Sequence, residues 1–185
     1  MSGRGIDTVF LDRDGTINTR LIADWIVRPE QFELLPGAGE ALAKLSRAGM
    51  RLIVITNQRG IELGLFDEAQ LARVHVRMAA LLVPFGVELD GVYFSAAGKG
   101  PRTKPEAGML FEAKRDFPAI EFSRSVMIGD AVRDIQAGAK AGCRTVLIAD
   151  EAHGAEVLRE AEEKQVKPDA VVKTIGEGAD LILCW

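Results

Sequence analysis

Four separate stretches of this 185-residue chain carry side chains that can handle an anion or a cation. Asp12 and Asp14 flank Arg13 and precede Gly15-Thr16, directly after the apolar run Val9-Phe10-Leu11. Thr56-Asn57-Gln58 follows Leu52-Ile53-Val54-Ile55, and Gly129-Asp130 follows Val126-Met127-Ile128. Lys104 stands just ahead of a helical stretch. Histidine and cysteine take no part in this pattern. His75 and His153 have no ligand partners nearby in sequence and read as helix or loop residues. Cys143 and Cys184 fit no zinc or CxxC spacing and read as reduced thiols.

Three carboxylates on one rim repel one another, at roughly 4 kcal/mol per pair for a separation of about 4 Å and an effective dielectric near 20. A cation must offset that, and with no nitrogen or sulfur ligands on offer it is a hard, oxygen-seeking one. Magnesium fits, because it binds a few carboxylates, keeps waters and joins phosphate oxygens. A metal, a lysine, a threonine hydroxyl and loop amides suit a phosphoryl group, whose transfer depends on positioning and on stabilising equatorial oxygen charge. One carboxylate can take the phosphoryl group as an aspartyl phosphate. A second can protonate the leaving group and later act as base on the attacking water. Plainer readings stand beside this one: an Asp-Gly turn at 14–15, an N-cap at Asp130 and a strand exit at Thr56-Asn57.

Positioning those groups falls to short apolar runs alternating with amphipathic stretches. Strands are predicted at residues 9–11, 51–56, 91–94, 125–128, 144–148 and 170–172. Helices are predicted at 37–48, 67–85, 108–117, 131–141, 155–164 and 174–183. In the second, Asp67 and Gln70 can form a capping box ahead of an apolar stripe of Leu71, Val74, Met78, Leu81, Leu82 and Phe85. Strict alternation implies a parallel sheet covered on both faces, a Rossmann-like doubly wound α/β domain. Ligands of such sheets bind beyond the carboxyl ends of the strands, where the polar groups sit. Residues 18–36 and 95–103 are the least regular and can overhang that rim.

The pattern resembles the haloacid dehalogenase (HAD) superfamily of phosphohydrolases. The four motifs read Asp12-Arg13-Asp14-Gly15-Thr16, Thr56 within Ile55-Thr56-Asn57-Gln58, Lys104-Pro105, and Gly129-Asp130 with Asp134. The phrases FLDRDGTIN, TNQRGI, KPEAGML and MIGDAVRDIQAGAKAG are similar to a narrower group, which contains heptose 1,7-bisphosphate and histidinol-phosphate phosphatases. The resemblance implies that Asp12 is the nucleophile and Asp14 the acid/base. It implies that Thr56 and Lys104 bind the transferring phosphate, and Asn57, opposite the DxD run, is a phosphate-binding candidate beside them. Magnesium would lie between Asp12, the backbone carbonyl of Asp14, and Asp130, with Asp134 orienting the site from behind.

Departures from that group sharpen the expectation. Its zinc loop carries Cys-x-His and Cys-x-Cys, which align here with Ser95, Ala97 and a short 100–105 segment, so no zinc is expected. The arginine expected before the lysine is Thr103, with Arg102 one place earlier; after Asp130 comes Ala131, with Arg133 further on. Arg59, Arg102 and Arg133 either contact a second phosphate or are solvated surface groups. Trp25 either walls the site or anchors its loop. The length leaves no room for a large cap, so one HAD-like domain over 1–185 is expected.

Composition narrows the field. Apolar residues make up 48%, enough for a buried core, and the net charge of −4 carries no basic footprint for nucleic acid. No apolar run approaches the roughly 20 residues that span a bilayer, and residues 1–7 lack a secretory stretch, so a cytoplasmic location is expected. A monomer acting on a small phosphorylated metabolite is the expectation, with a D-glycero-D-manno-heptose 1,7-bisphosphate as first substrate. Histidinol phosphate is the alternative, and a nucleic-acid 3′-phosphate a weaker one. A receiver-type signalling domain would carry its phosphorylated aspartate after a later strand. A catalytically dead scaffold would not need the complete set.

Overall fold

The computed structural model describes residues 5–21 and 25–185. The readings of residues 1–7 and 18–36 therefore lie partly outside the described residues. Among the described residues six strands and six α-helices alternate: β1 (Thr8–Leu11), α1 (Ala38–Arg47), β2 (Arg51–Asn57), α2 (Glu68–Leu82), β3 (Gly91–Ser95), α3 (Gly108–Asp116), β4 (Ser125–Gly129), α4 (Val132–Ala141), β5 (Arg144–Ile148), α5 (Gly154–Glu163), β6 (Ala170–Val172) and α6 (Ile175–Ile182).

All strands pair in parallel, in the order β3-β2-β1-β4-β5-β6. This is the doubly wound order, and its direction of growth reverses between β1 and β4. Alternate residues of the strands face opposite layers. Val9, Leu11, Leu52, Val54, Val126 and Ile128 pack with buried residues of α1, α2 and α6. Phe10, Ile53, Ile55 and Met127 pack with Met109, Leu110 and Ala113 of α3 and with Ala137 of α4. Val132 and Ile135 of α4 meet Leu147 and α5. Each large aliphatic side chain so buried contributes about 1.5–3 kcal/mol.

The helix starts explain themselves locally. At α2 the Asp67 carboxylate accepts from the Gln70 N–H at 2.7 Å, and the Gln70 side chain returns the bond to the Asp67 N–H at 2.9 Å. Leu71, Val74, Met78 and Leu82 then form its buried stripe, while Leu81 and Phe85 are partly buried beside it. At α4 the capping differs from the expectation at Asp130. Ala131 is the N-cap, and Asp134 reaches back to accept its N–H at 3.0 Å. Asp130 lies one residue ahead, so its carboxylate has no capping duty. No helix among the described residues is long and apolar enough to cross a membrane.

Candidate active site

Register decides what meets at the switch point. Leu11 is level with Val54 of β2 and with Ile128 of β4, and the Asp12 N–H donates to the Ile128 carbonyl at 3.0 Å. Asp12 therefore leaves β1 beside the ends of both neighbours, next to Thr56 and Asp130. Gly15 lets the two carboxyl-bearing turns close up. Its φ is +86°, and a Cβ there would fall 1.9 Å from Asp130 Oδ2. Only glycine meets both requirements.

Lys104 forms the centre of the floor. Its Nζ lies 2.7 Å from Asp12 Oδ1, 2.7 Å from Asp134 Oδ1 and 2.7 Å from the Ile55 carbonyl. Asp12 and the Ile55 carbonyl accept hydrogen bonds from it, and Asp134 adds an ion pair. Asp12, Lys104 and Asp134 are 3%, 2% and 0% exposed. Burial disfavours the Lys104 charge, but Asp12 and Asp134 outweigh it and hold the pKa above its ordinary value. Asp12 is pushed up, first by burial and then by the charge of Asp134, against the pull of Lys104 and Arg133. Burial and then the charges of Asp12 and Asp134 push Asp130 up to about 8, with Arg20 and Arg133 opposing.

Carboxylate oxygens of Asp12, Asp130 and Asp134 lie within 4.8 Å of one another. Asp134 is already engaged by Lys104 and the Ala131 N–H. Asp12, engaged by Lys104 and the Arg13 N–H through Oδ1 alone, and Asp130, whose partner Arg20 is part-exposed, are the pair best able to hold a hard cation, and their raised proton affinity is what such crowding produces when no cation offsets it. The donor set is all oxygen, which suits magnesium.

Asp14 is clamped from three sides. Arg13 donates from Nη2 to both of its oxygens, at 3.0 and 2.9 Å, and from Nε at 3.2 Å. Asn18 Nδ2 and Gln58 Nε2 add bonds of 3.0 and 2.9 Å. Burial works to raise its pKa, but Arg13, Asn18 and Gln58 outweigh that and hold it below the usual carboxylate range. Gln58 Nε2 also donates to Thr56 Oγ1 at 2.9 Å, which leaves the Thr56 hydroxyl proton free to serve as a donor into the site.

The remaining candidates divide. Asn57 braces the lysine: its Nδ2 donates to the Lys104 carbonyl at 2.9 Å, and its Oδ1 accepts from the Lys104 N–H at 3.0 Å. Arg59 and Arg133 line the same pocket of about 450 Å³, together with Arg13, Asp14, Arg20, Trp25 and Lys104. Arg102 does not reach it; its guanidinium pairs with Glu112 of α3 at 2.8 Å. Trp25 both lines the pocket and packs on Phe66, with ring centroids 6.1 Å apart. The 95–103 loop is closed by a hydroxyl pair, Ser95 Oγ to Thr103 Oγ1 at 2.7 Å.

Three contributors escaped the sequence reading. Arg20 pairs with Asp130 at 2.8 Å, and nothing in its sequence context marks it. Gln58 was part of a quoted motif without a role. His75, read as an ordinary helix residue, lies 3.2 Å from Arg13 Nη1.

Comparison with known proteins agrees with this fold. A family model described as HAD-hydrolase-like matches residues 101–178. The chain is 36% identical over 156 residues to a D-glycero-beta-D-manno-heptose-1,7-bisphosphate 7-phosphatase of Photorhabdus laumondii, covering 78% of this chain and 81% of the relative. It is 32% identical to the D-glycero-alpha-D-manno-heptose-1,7-bisphosphate 7-phosphatase of Mycobacterium bovis, covering 79% and 81%. The crystal structure of the D,D-heptose 1,7-bisphosphate phosphatase from B. bronchiseptica, complexed with magnesium and phosphate, superposes with a TM-score of 0.87 at 29% identity, over 97% of this chain and 99% of that one. With the doubly wound sheet, the switch-point carboxylates and these relatives in agreement, the chain belongs to the HAD-like phosphatases, in the family of the heptose-1,7-bisphosphate 7-phosphatases.

Proposed function

We propose that this phosphatase removes one phosphate from a D-glycero-D-manno-heptose 1,7-bisphosphate, with magnesium as its cofactor and Asp12 as its nucleophile. The observation that carries the reading is the buried assembly of Asp12, Lys104 and Asp134 beside Asp130, at the floor of a pocket rimmed by Arg20, Arg59 and Arg133. An Asp12 oxygen attacks phosphorus as the ester P–O bond breaks, and Asp14 protonates the leaving oxygen. Asp14 is held ionised in the free enzyme. The negative charge of an arriving phosphoryl group raises its proton affinity, so it takes up a proton from solvent as substrate binds. Water then attacks the aspartyl phosphate, Asp14 accepts its proton, and Asp12 is regenerated with release of phosphate. Thr56 donates to a phosphoryl oxygen, while Lys104 supplies positive charge and Asn57 holds it in place.

Magnesium would be held by Asp12, Asp130 and the Asp14 carbonyl, and would offset carboxylate and phosphoryl charge. Arg59 and Arg133 face the substrate's second phosphate; Arg102, paired elsewhere, does not. The relatives' names include both anomers at C1. We further take 1–185 to be one domain acting as a cytoplasmic monomer on a small metabolite rather than on nucleic acid, in keeping with its acidic net charge.

The test is phosphate release with magnesium across a panel of both heptose bisphosphate anomers, histidinol phosphate and an oligonucleotide 3′-phosphate. A heptose bisphosphate should give the highest kcat/KM. A preference for histidinol phosphate would move the substrate while leaving the chemistry intact.

A further inference from the structure

Arg13 is 1% exposed and stands between the two aspartates of the reaction. Its fork has two working directions. Nε and Nη2 face Asp14, as described above. Nη1 points away and lies 3.2 Å from Nε2 of His75, on α2. A guanidinium donates and cannot accept, so His75 accepts at Nε2 and carries its own proton on Nδ1. Burial, and then the Arg13 charge, lower the His75 pKa to about 4 against the pull of Asp14, so the ring is neutral near pH 7. The imidazole is itself braced edge-on by Phe94 of β3, with centroids 6.3 Å apart at 60°. Phe32 lies on another side of the guanidinium, 6.0 Å from its central carbon.

We propose that His75 is a positioning residue: by accepting from Arg13 Nη1 it sets the rotation of the guanidinium, and so the place from which Asp14 delivers a proton to the leaving oxygen. The guanidinium is planar and moves as one piece. A buried N–H left without an acceptor is costly, so loss of the His75 nitrogen drives the fork toward another acceptor and carries the Asp14 carboxylate with it. Catalytic geometry tolerates little of this, because a displacement of about 1 Å far from the chemistry can cost about 100-fold. The inference rests on the acid/base reading of Asp14.

The experiment compares kcat/KM on heptose bisphosphate, whose alkoxide leaves poorly, with that on p-nitrophenyl phosphate, whose phenolate leaves well without a proton. kcat/KM reports transfer to Asp12 alone when that step is irreversible. His75→Phe fills the ring space without an acceptor, and His75→Gln restores an acceptor oxygen. His75→Phe should lower kcat/KM for the heptose ester by about tenfold or more and for the nitrophenyl ester by less than about threefold, with His75→Gln recovering most of the loss. Asp14→Asn, run alongside, should show the same split more strongly. If Asp14→Asn lowers both substrates equally, the acid/base reading itself fails. If Asp14→Asn splits them but His75→Phe lowers both equally or neither, or His75→Gln recovers nothing, His75 is a packing residue and the inference is overturned. Arg13→Lys keeps the charge and loses the fork; should His75→Phe not fold, this variant must show the split for the inference to stand.

Discussion

At the scale of single residues, the site balances buried charges that would each be unfavourable alone. Lys104 is held by two carboxylates and a carbonyl. Lys104→Met leaves Asp12 and Asp134 buried without their counter-ion and should cost about 3–5 kcal/mol, read from urea unfolding, together with activity. In the proposed mechanism, Asp12→Asn removes the attacking oxygen's charge but keeps the shape. Its turnover should fall more than about a thousandfold while circular dichroism stays native. Near-normal activity in that variant would move the nucleophile elsewhere. The gathering of Asp12, Asp14, Thr56, Lys104 and Asp130 at one rim was legible because each follows an apolar run or belongs to a motif. Arg20 and His75 were not legible. Their contacts reach 110 and 62 residues away in sequence, and no local spacing encodes such a meeting.

At the scale of elements, local physics is nearly sufficient. The strand and helix ranges read from periodicity match the observed ones to within a few residues, because most of the runs are bounded by glycine, proline, a cap or another polar residue. Asp67→Ala removes the α2 cap and should lower stability by about 1 kcal/mol with phosphate release unchanged. A loss of activity in that variant would mean that α2, which carries His75, responds to its own cap. Gly15 belongs to this scale too, since it sets how closely the β1 turn approaches the β4 turn. Gly15→Ala meets both a positive φ and the Asp130 carboxylate. It should weaken magnesium binding measured by titration calorimetry, and an unchanged affinity would mean that Asp130 is not a ligand. The capping of α4 shows where local reading stops: an aspartate before a helix resembles an N-cap, yet Asp134, inside the helix, performs that task.

At the scale of the whole molecule, the parallel sheet gathers like charges at one rim. Asp130, held up to about 8 by burial and by Asp12 and Asp134, binds a proton that the unfolded chain, titrating near 3.9, has released. Between about pH 4 and pH 8 the unfolded state therefore holds fewer protons, and the stability of the metal-free protein falls as pH rises. Magnesium relieves the repulsion and at lower pH must displace that proton. It should raise Tm more near pH 8.5 than near pH 6, and equal shifts would contradict a carboxylate site. What the amino-acid order determined by itself was the alternation of elements, the doubly wound class and the residue types at each strand end, since these depend on periodicity over ten or twenty positions. The strand order, the level at which Asp12 meets Thr56 and Asp130, the turning of Arg102 toward Glu112 and the reach of His75 to Arg13 were decided only by tertiary packing. The physical reason is that register and side-chain partnership depend on distances between segments, which no single segment contains.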